Sequence, residues 1–122
     1  MFPRKYRLRK KRDFEKVFKE GDAYFGRFFM VRMKRNELPF SRFAFVFPVK
    51  QEKRATRRNR GKRLFREATR QLSPFVKRGF DIIFIIKKEA LGEHFEDIKR
   101  ETEKLLKKAG ILQITSGKGS KN

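Results

Sequence analysis

A single-domain α+β sandwich, with elements in the order α-β-β-α-β-α, is the fold class this sequence predicts. Three observations carry that expectation. The chain has 122 residues, a length that suits one domain. Its hydrophobic fraction of 38%, with 15 Phe, supplies a modest core. Apolar residues also switch along the chain between helical spacing and strand spacing, without an internal repeat.

Residues 1–12 read as a basic arm, flexible until bound. The folded domain then spans 13–112. A short helix is expected from about Arg12 to Glu20, with Phe14, Val17 and Phe18 on one side and Gly21 placed to end it. Tyr24 to Lys34 reads as one strand. Phe25, Phe29, Val31 and Met33 share one of its faces; Phe28, Met30, Arg32 and Lys34 share the other. Pro39 lies in a turn over Asn36 to Phe40. A second strand runs from Arg42 to Val49, with Phe43, Phe45 and Phe47 on one face and Pro48 marking an end or bulge.

A basic helix follows from about Thr56 to Leu72, and Ser73-Pro74 stops it, because Pro disfavours helix in the residue before it. Phe80 to Ile86 is nearly all apolar, as a strand covered on both faces should be. The last helix is expected from Glu93 to Ala109, with Phe95, Ile98, Leu105 and Leu106 inward and Gly110 as its cap. Residues 113–122 form a polar tail, and its SGKGSKN end reads as disordered. Strand, basic helix and strand together make a βαβ unit, for which general rules predict a right-handed crossover.

Charge narrows the function. Lys+Arg 35 against Asp+Glu 14 gives a net +21 and a pI near 11.0. Such an excess repels itself and favours polyanions. A thermostable charged surface would carry acids beside its bases, and here they are too few. Without cysteine there are no disulfides, thiolate metal sites or cysteine nucleophiles. MFPRKYRLRKKRDF has no apolar stretch for a signal peptide, and no run of about 20 apolar residues suits a membrane span. The expectation is a cytoplasmic protein with no membrane partner; no protein partner is evident.

The segment Ala55 to Arg70, ATRRNRGKRLFREATR, concentrates that charge. At about 100° per residue, Leu64, Phe65, Ala68 and Leu72 share one helix face. Asn59, Lys62, Arg63, Arg66 and Arg70 fall opposite. Cations near a helix N-terminus are unfavourable by roughly 0.3–1 kcal/mol each at low salt, which points to an anionic partner. Arg58-Asn59-Arg60, Lys62-Arg63 and Arg66-Glu67 read RNRxKRxxRE. This resembles the "RNR" motif of the bacterial ribonuclease P protein subunit. Asp13-Phe14, Val17-Phe18 and Gly21 are similar to that family's DFxxVFxxG. Ser41-Arg42 opening an aromatic strand and the apolar strand after the basic helix fit in the same order.

The resemblance implies a left-handed βαβ crossover. It implies a protein subunit that assists removal of the 5′ leader from precursor tRNA, while the RNA subunit performs the hydrolysis. Mg²⁺ would be held mainly by that RNA and the substrate. The implied partners are ribonuclease P RNA and precursor tRNA. Arg57, Arg58, Asn59, Arg60, Lys62, Arg63, Arg66 and Arg70 would bind the RNA subunit. Arg guanidinium groups make bidentate contacts to phosphate. Asn59, Lys62 and Arg66 rank first for their shared exposed face. Phe14 and Phe18, one helical turn apart, would border a cleft for the single-stranded leader. Phe28, Met30 and Arg32 would continue it. Arg32 stands where the family commonly has an aromatic, and Gly61 where a β-branched residue is common. Gly61 either permits close packing or marks a later helix start. The Pro48 to Arg54 loop lacks the family's glycine and is slightly longer.

Side-chain catalysis is not expected. His94 is the single histidine and reads as a solvated residue at a helix start. Asp81, Asp97 and Glu101 suit salt bridges better than acid–base chemistry. No spacing suggests a protein metal site, and the glycines make no phosphate-binding loop. A ribosomal or ribosome-assembly protein that binds structured RNA shares the charge and size. A self-contained nuclease would need a carboxylate cluster or catalytic His.

Overall fold

The computed structural model describes residues 3–113. Helix α1 spans Lys11–Glu20. Strands β1 (Asp22–Phe25) and β2 (Phe29–Arg35) form a hairpin, followed by β3 (Arg42–Val46). Helix α2 spans Ala55–Leu72, strand β4 Phe80–Ile86 and helix α3 Phe95–Lys108. The sheet order is β1-β2-β4-β3. β2 pairs antiparallel with β1 and β4, whereas β3 and β4 run parallel and are joined through α2. This is the expected α+β class.

One difference changes a face assignment. The stretch read as a single strand from Tyr24 to Lys34 folds back at Gly26 to Phe28, where the Gly26 N–H donates to the Phe29 carbonyl (2.8 Å). The turn resets the alternation. Phe25 therefore pairs with Met30 and stands on the opposite face from Phe29, Val31 and Met33; it is 66% exposed. Phe28 leaves the face of Met30 and joins the core at 4% exposure.

The main core lies between the sheet and helices α2 and α3. Phe84 is its centre, with ring centroids 5.6 Å from Phe29, 5.0 Å from Phe45 and 6.4 Å from Phe65. Aromatic pairs at such separations add roughly 0.5–1.5 kcal/mol each beyond area burial. The helices complete the core with Phe65, Ala68, Leu72, Ile98, Leu105 and Leu106, all buried. Buried Thr102 donates its hydroxyl to the Ile98 carbonyl (2.7 Å).

Helix α1 lies on the other face, burying Val17 against Ala44, Ile83 and Leu8. β4 is thus covered on both sides, as its unbroken apolar run requires. The segment expected to be a flexible arm is docked over its described part. Leu8 is 3% exposed, its N–H donates to the Phe43 carbonyl (2.8 Å), and Arg7 bridges to Phe43 along the outer edge of β3. An unpaired strand edge attracts such pairing. β3 ends at Val46, short of the expected Val49; the chain turns at Pro48, whose carbonyl accepts from the Gln51 N–H (2.9 Å). Residues 114–122, including the whole SGKGSKN segment expected to be disordered, lie outside the described residues.

Candidate RNA interface

Three anchors fix α1 on the sheet. Arg42, on β3, donates Nε and Nη2 to the two Asp81 carboxylate oxygens (2.8 and 2.7 Å) and reaches Asp13 on α1 at 3.3 Å. Asn36 also donates to Asp81 (2.8 Å). The Asp81 hydrogen bond holds the Arg42 guanidinium above its ordinary pKa, so it stays charged. At the far end Lys34 pairs with Glu20 (3.4 Å), and Arg32 Nη2 donates to the Phe18 carbonyl, capping the helix. Gly21 ends α1 in extended backbone. Its glycine is required by close approach: an added Cβ would stand 2.5 Å from the Val17 oxygen and 2.6 Å from the Met33 oxygen. Asp13, Gly21 and Arg42 are thus the structural members of the sequence patterns that carry them.

This anchoring leaves an apolar shelf beside α1. The strand registers align Phe25, Met30, Ile85 and Val46 across all four strands on the α1 face. Phe14 packs partly against this side, and Phe18 is 43% exposed. The Arg32 guanidinium lies 5.6 Å from the Phe18 ring centroid, with its Nε buried and unpartnered. Arg32 is occupied by Phe18 and the α1 terminus. Phe28 is a correction: it is in the core on the other side of the sheet and unavailable to a strand on this shelf. Ile85, Val46 and Phe25 belong to the shelf, although sequence reasoning did not place them there. The Ala44–Val46 and Ile83–Ile85 alternation was the available signal. An all-apolar strand hid it on β4.

Helix α2 buries Gly61, Phe65, Ala68, Thr69 and Leu72. Gly61 is inside the helix, which begins at Ala55, and lies against the Phe47 ring; a Cβ there would come within 2.7 Å of that ring. The close-packing reading therefore holds, and the later helix start does not. Asn59 and Arg63 are exposed, and Lys62 and Arg66 half-buried, along one stripe of positions i, i+3, i+4 and i+7. Arg57 and Arg60 turn to the other flank, lining a cleft of about 540 Å³ with Leu64, Leu91 and His94. Two of the expected contact residues are partly engaged at home. Arg58 donates to the carbonyls of Glu52 (3.1 Å) and Lys53 (2.8 Å), tying down the preceding loop. Arg70 pairs with Glu67, whose carboxyl is held at about 2, chiefly by Arg70 and then by Gln71. The Arg66 guanidinium stacks 5.7 Å above the Phe45 ring, and burial, then Arg7 and Arg63, depress its pKa.

Three of the remaining ionisable residues take the structural roles expected of them. Asp81 is in the Arg42 network, Asp97 pairs with Arg100 (2.7 Å), and His94 is exposed at the start of α3. Among the described residues, no group of three or more His, Asp or Glu could hold a metal ion, and no helix is long and apolar enough to cross a membrane.

Residues 2–110 match the family model described as Ribonuclease P. The chain belongs to the ribonuclease P protein family. It is 43% identical over 97 residues to the ribonuclease P protein component of Thermotoga petrophila, covering 80% of this chain and 81% of that one. The fold agrees. The Staphylococcus aureus RNase P protein aligns with TM-score 0.79 and 28% identity over 88% of this chain and 98% of that one. The Thermotoga maritima RNase P protein aligns with TM-score 0.76 and 36% identity over 84% and 96%. The chain is accordingly an accessory protein subunit of an RNA-based endoribonuclease that acts in tRNA 5′ maturation.

Proposed function

We propose that this ribonuclease P protein divides its work between two surfaces. The α2 stripe of Asn59, Lys62, Arg63 and Arg66, with Arg57 and Arg60 on its flank, binds the catalytic RNA subunit through phosphate contacts. Arg58 and Arg70 contribute secondarily, because each already serves a neighbour. The shelf of Phe14, Phe18 and Met30, extended by Ile85 and Val46, receives the single-stranded 5′ leader of precursor tRNA. Arg32 positions Phe18 there.

The observation that carries this reading is the row of half-buried apolar side chains across the sheet, ending at exposed Phe25, beside two Phe on a firmly anchored helix. Aromatic platforms stack unpaired bases for about 1–3 kcal/mol per base with little sequence preference. Leaders differ in sequence, so a stacking site suits them. Mg²⁺ is held mainly by the RNA subunit and the substrate, where it would neutralise charge on the attacking and leaving oxygens. The setting is the cytoplasm.

RNA-free protein should leave precursor tRNA intact at every Mg²⁺ concentration, and cleavage should appear on addition of the cognate catalytic RNA. Cleavage at the mature 5′ end by protein shown to be free of RNA would refute the accessory role.

A further inference from the structure

A groove of about 340 Å³ runs along the outer edge of β3, between α1 and α2. Its walls are Arg7 and Arg9 from the docked N-terminal segment, Arg66 from α2, and Phe14 and Phe45. No lining side chain is acidic. The groove joins the two surfaces described above: Phe14 belongs to the leader shelf and Arg66 to the α2 stripe. Two elements, the N-terminal segment and α2, thus bring three guanidinium groups to one concave place. The segment holding Arg9 is fixed there by Leu8, which is buried and bonded to the β3 edge.

From this convergence we propose that the groove is a phosphate seat, in which Arg9 and Arg66, with Arg7 beside them, hold one backbone phosphate of the precursor tRNA leader. The inference rests on the two-surface reading and extends it to the N-terminal segment. Burial first, and then the positive charges of Arg7 on the groove wall and Arg63 on α2, depress the Arg66 pKa. A phosphate entering the groove relieves the repulsion and accepts planar, bidentate hydrogen bonds from arginine. Phe14 on the groove wall favours the leader over the catalytic RNA as the source. A strand stacked on the Phe14 ring has its backbone within reach of this edge. Stacking and phosphate capture would then act on the same nucleotides, the first blind to sequence and the second to base identity.

The test uses the assembled ribonucleoprotein with Arg9→Gln, Arg9→Lys and Phe18→Ala proteins. Affinity for precursor tRNA, mature tRNA and catalytic RNA is measured across a salt series. Arg9 is exposed, so its replacement should leave the thermal melting of the protein unchanged. Arg9→Gln should weaken precursor binding about tenfold, the scale of a lost charge-assisted hydrogen bond, and lower the precursor salt slope by about 1. Arg9→Lys should restore the slope but only part of the affinity. Mature tRNA and catalytic RNA affinities should not move. An unchanged precursor-to-mature ratio in Arg9→Gln would overturn the seat, and so would a loss confined to catalytic RNA. Phe18→Ala separates the levels. If it lowers the ratio and Arg9→Gln does not, the seat alone fails; if neither does, the leader reading itself fails.

Discussion

The α2 stripe and the α1 shelf, proposed to meet RNA chemistry of different kinds, are built differently. On α2 the proposed recognition groups are long cations on a helix held from behind by Phe65, Ala68 and Leu72. Most need no fixed rotamer, because phosphate attraction is long-ranged and tolerant of position. On the shelf, a ring must be presented flat to a base. There the protein concentrates polar contacts between elements: Asp13 and Asp81 on Arg42, Glu20 on Lys34, the Phe18 carbonyl on Arg32. The comparison teaches that a charged surface needs only a support, whereas a stacking surface needs its supporting helix clamped at both ends.

The sharpest way to probe that contrast is to compare phenylalanines. Phe28→Ala removes a core ring and should cost about 3–5 kcal/mol of stability, weakening both surfaces together. Urea unfolding measures this, and a variant of native stability that lost only leader affinity would return Phe28 to the shelf. Arg42→Ala comes close behind. It leaves Asp81 buried with Asn36 as its remaining partner, and removal of one member of a buried pair typically costs about 3–5 kcal/mol. Partial exposure of Arg42 puts this case at the lower end, about 3 kcal/mol. The loss should fall on α1: amide hydrogen exchange should rise in Lys11–Glu20 before it rises in α2.

The smallest expected effect belongs to Glu67. Its carboxyl sits at about 2, below its ordinary 4.5, because Arg70 and Gln71 hydrogen-bond the charged form. A depressed acid contributes stability that is present above the unfolded value and is lost as pH falls from about 4.5 through about 2. Glu67→Gln should flatten the acid limb of the unfolding profile in that window. It should also free Arg70 and modestly tighten binding to catalytic RNA at neutral pH. Weaker RNA binding instead would mean that the Glu67–Arg70 pair presents Arg70 rather than occupying it.

Much of the fold was legible because its elements are strongly periodic. Phe80 to Ile86 was read to the residue, and α2 within one residue of its start, since apolar spacing and Ser73-Pro74 mark them without tertiary help. The hairpin at Gly26 to Phe28 was not legible. YFGRFFMV reads continuously as strand-forming residues around one tolerated glycine, and no Asn-Gly or Asp-Gly pair signals the turn. That single miss moved Phe25 and Phe28 to the wrong faces. The docked arm was missed because its anchor is one apolar residue, Leu8, among many bases, paired with an edge that only the assembled sheet creates. At the interface, helical spacing revealed the Asn59, Lys62, Arg63 and Arg66 stripe. Arg58 could not be told apart from them, since its carbonyl partners depend on how the preceding loop folds back.

One paired measurement decides whether the two surfaces act on different RNAs by different physics. Lys62→Ala and Phe18→Ala proteins are each titrated with catalytic RNA, and their ribonucleoproteins with precursor and mature tRNA, across a salt series. Lys62→Ala should weaken catalytic RNA binding and lower its salt slope by about 1, leaving the precursor-to-mature ratio alone. Phe18→Ala should reduce that ratio by roughly ten- to a hundredfold, the worth of one stacked base, and leave the salt slope for catalytic RNA as it was. Both variants shifting both quantities alike would show one continuous RNA surface and contradict the account.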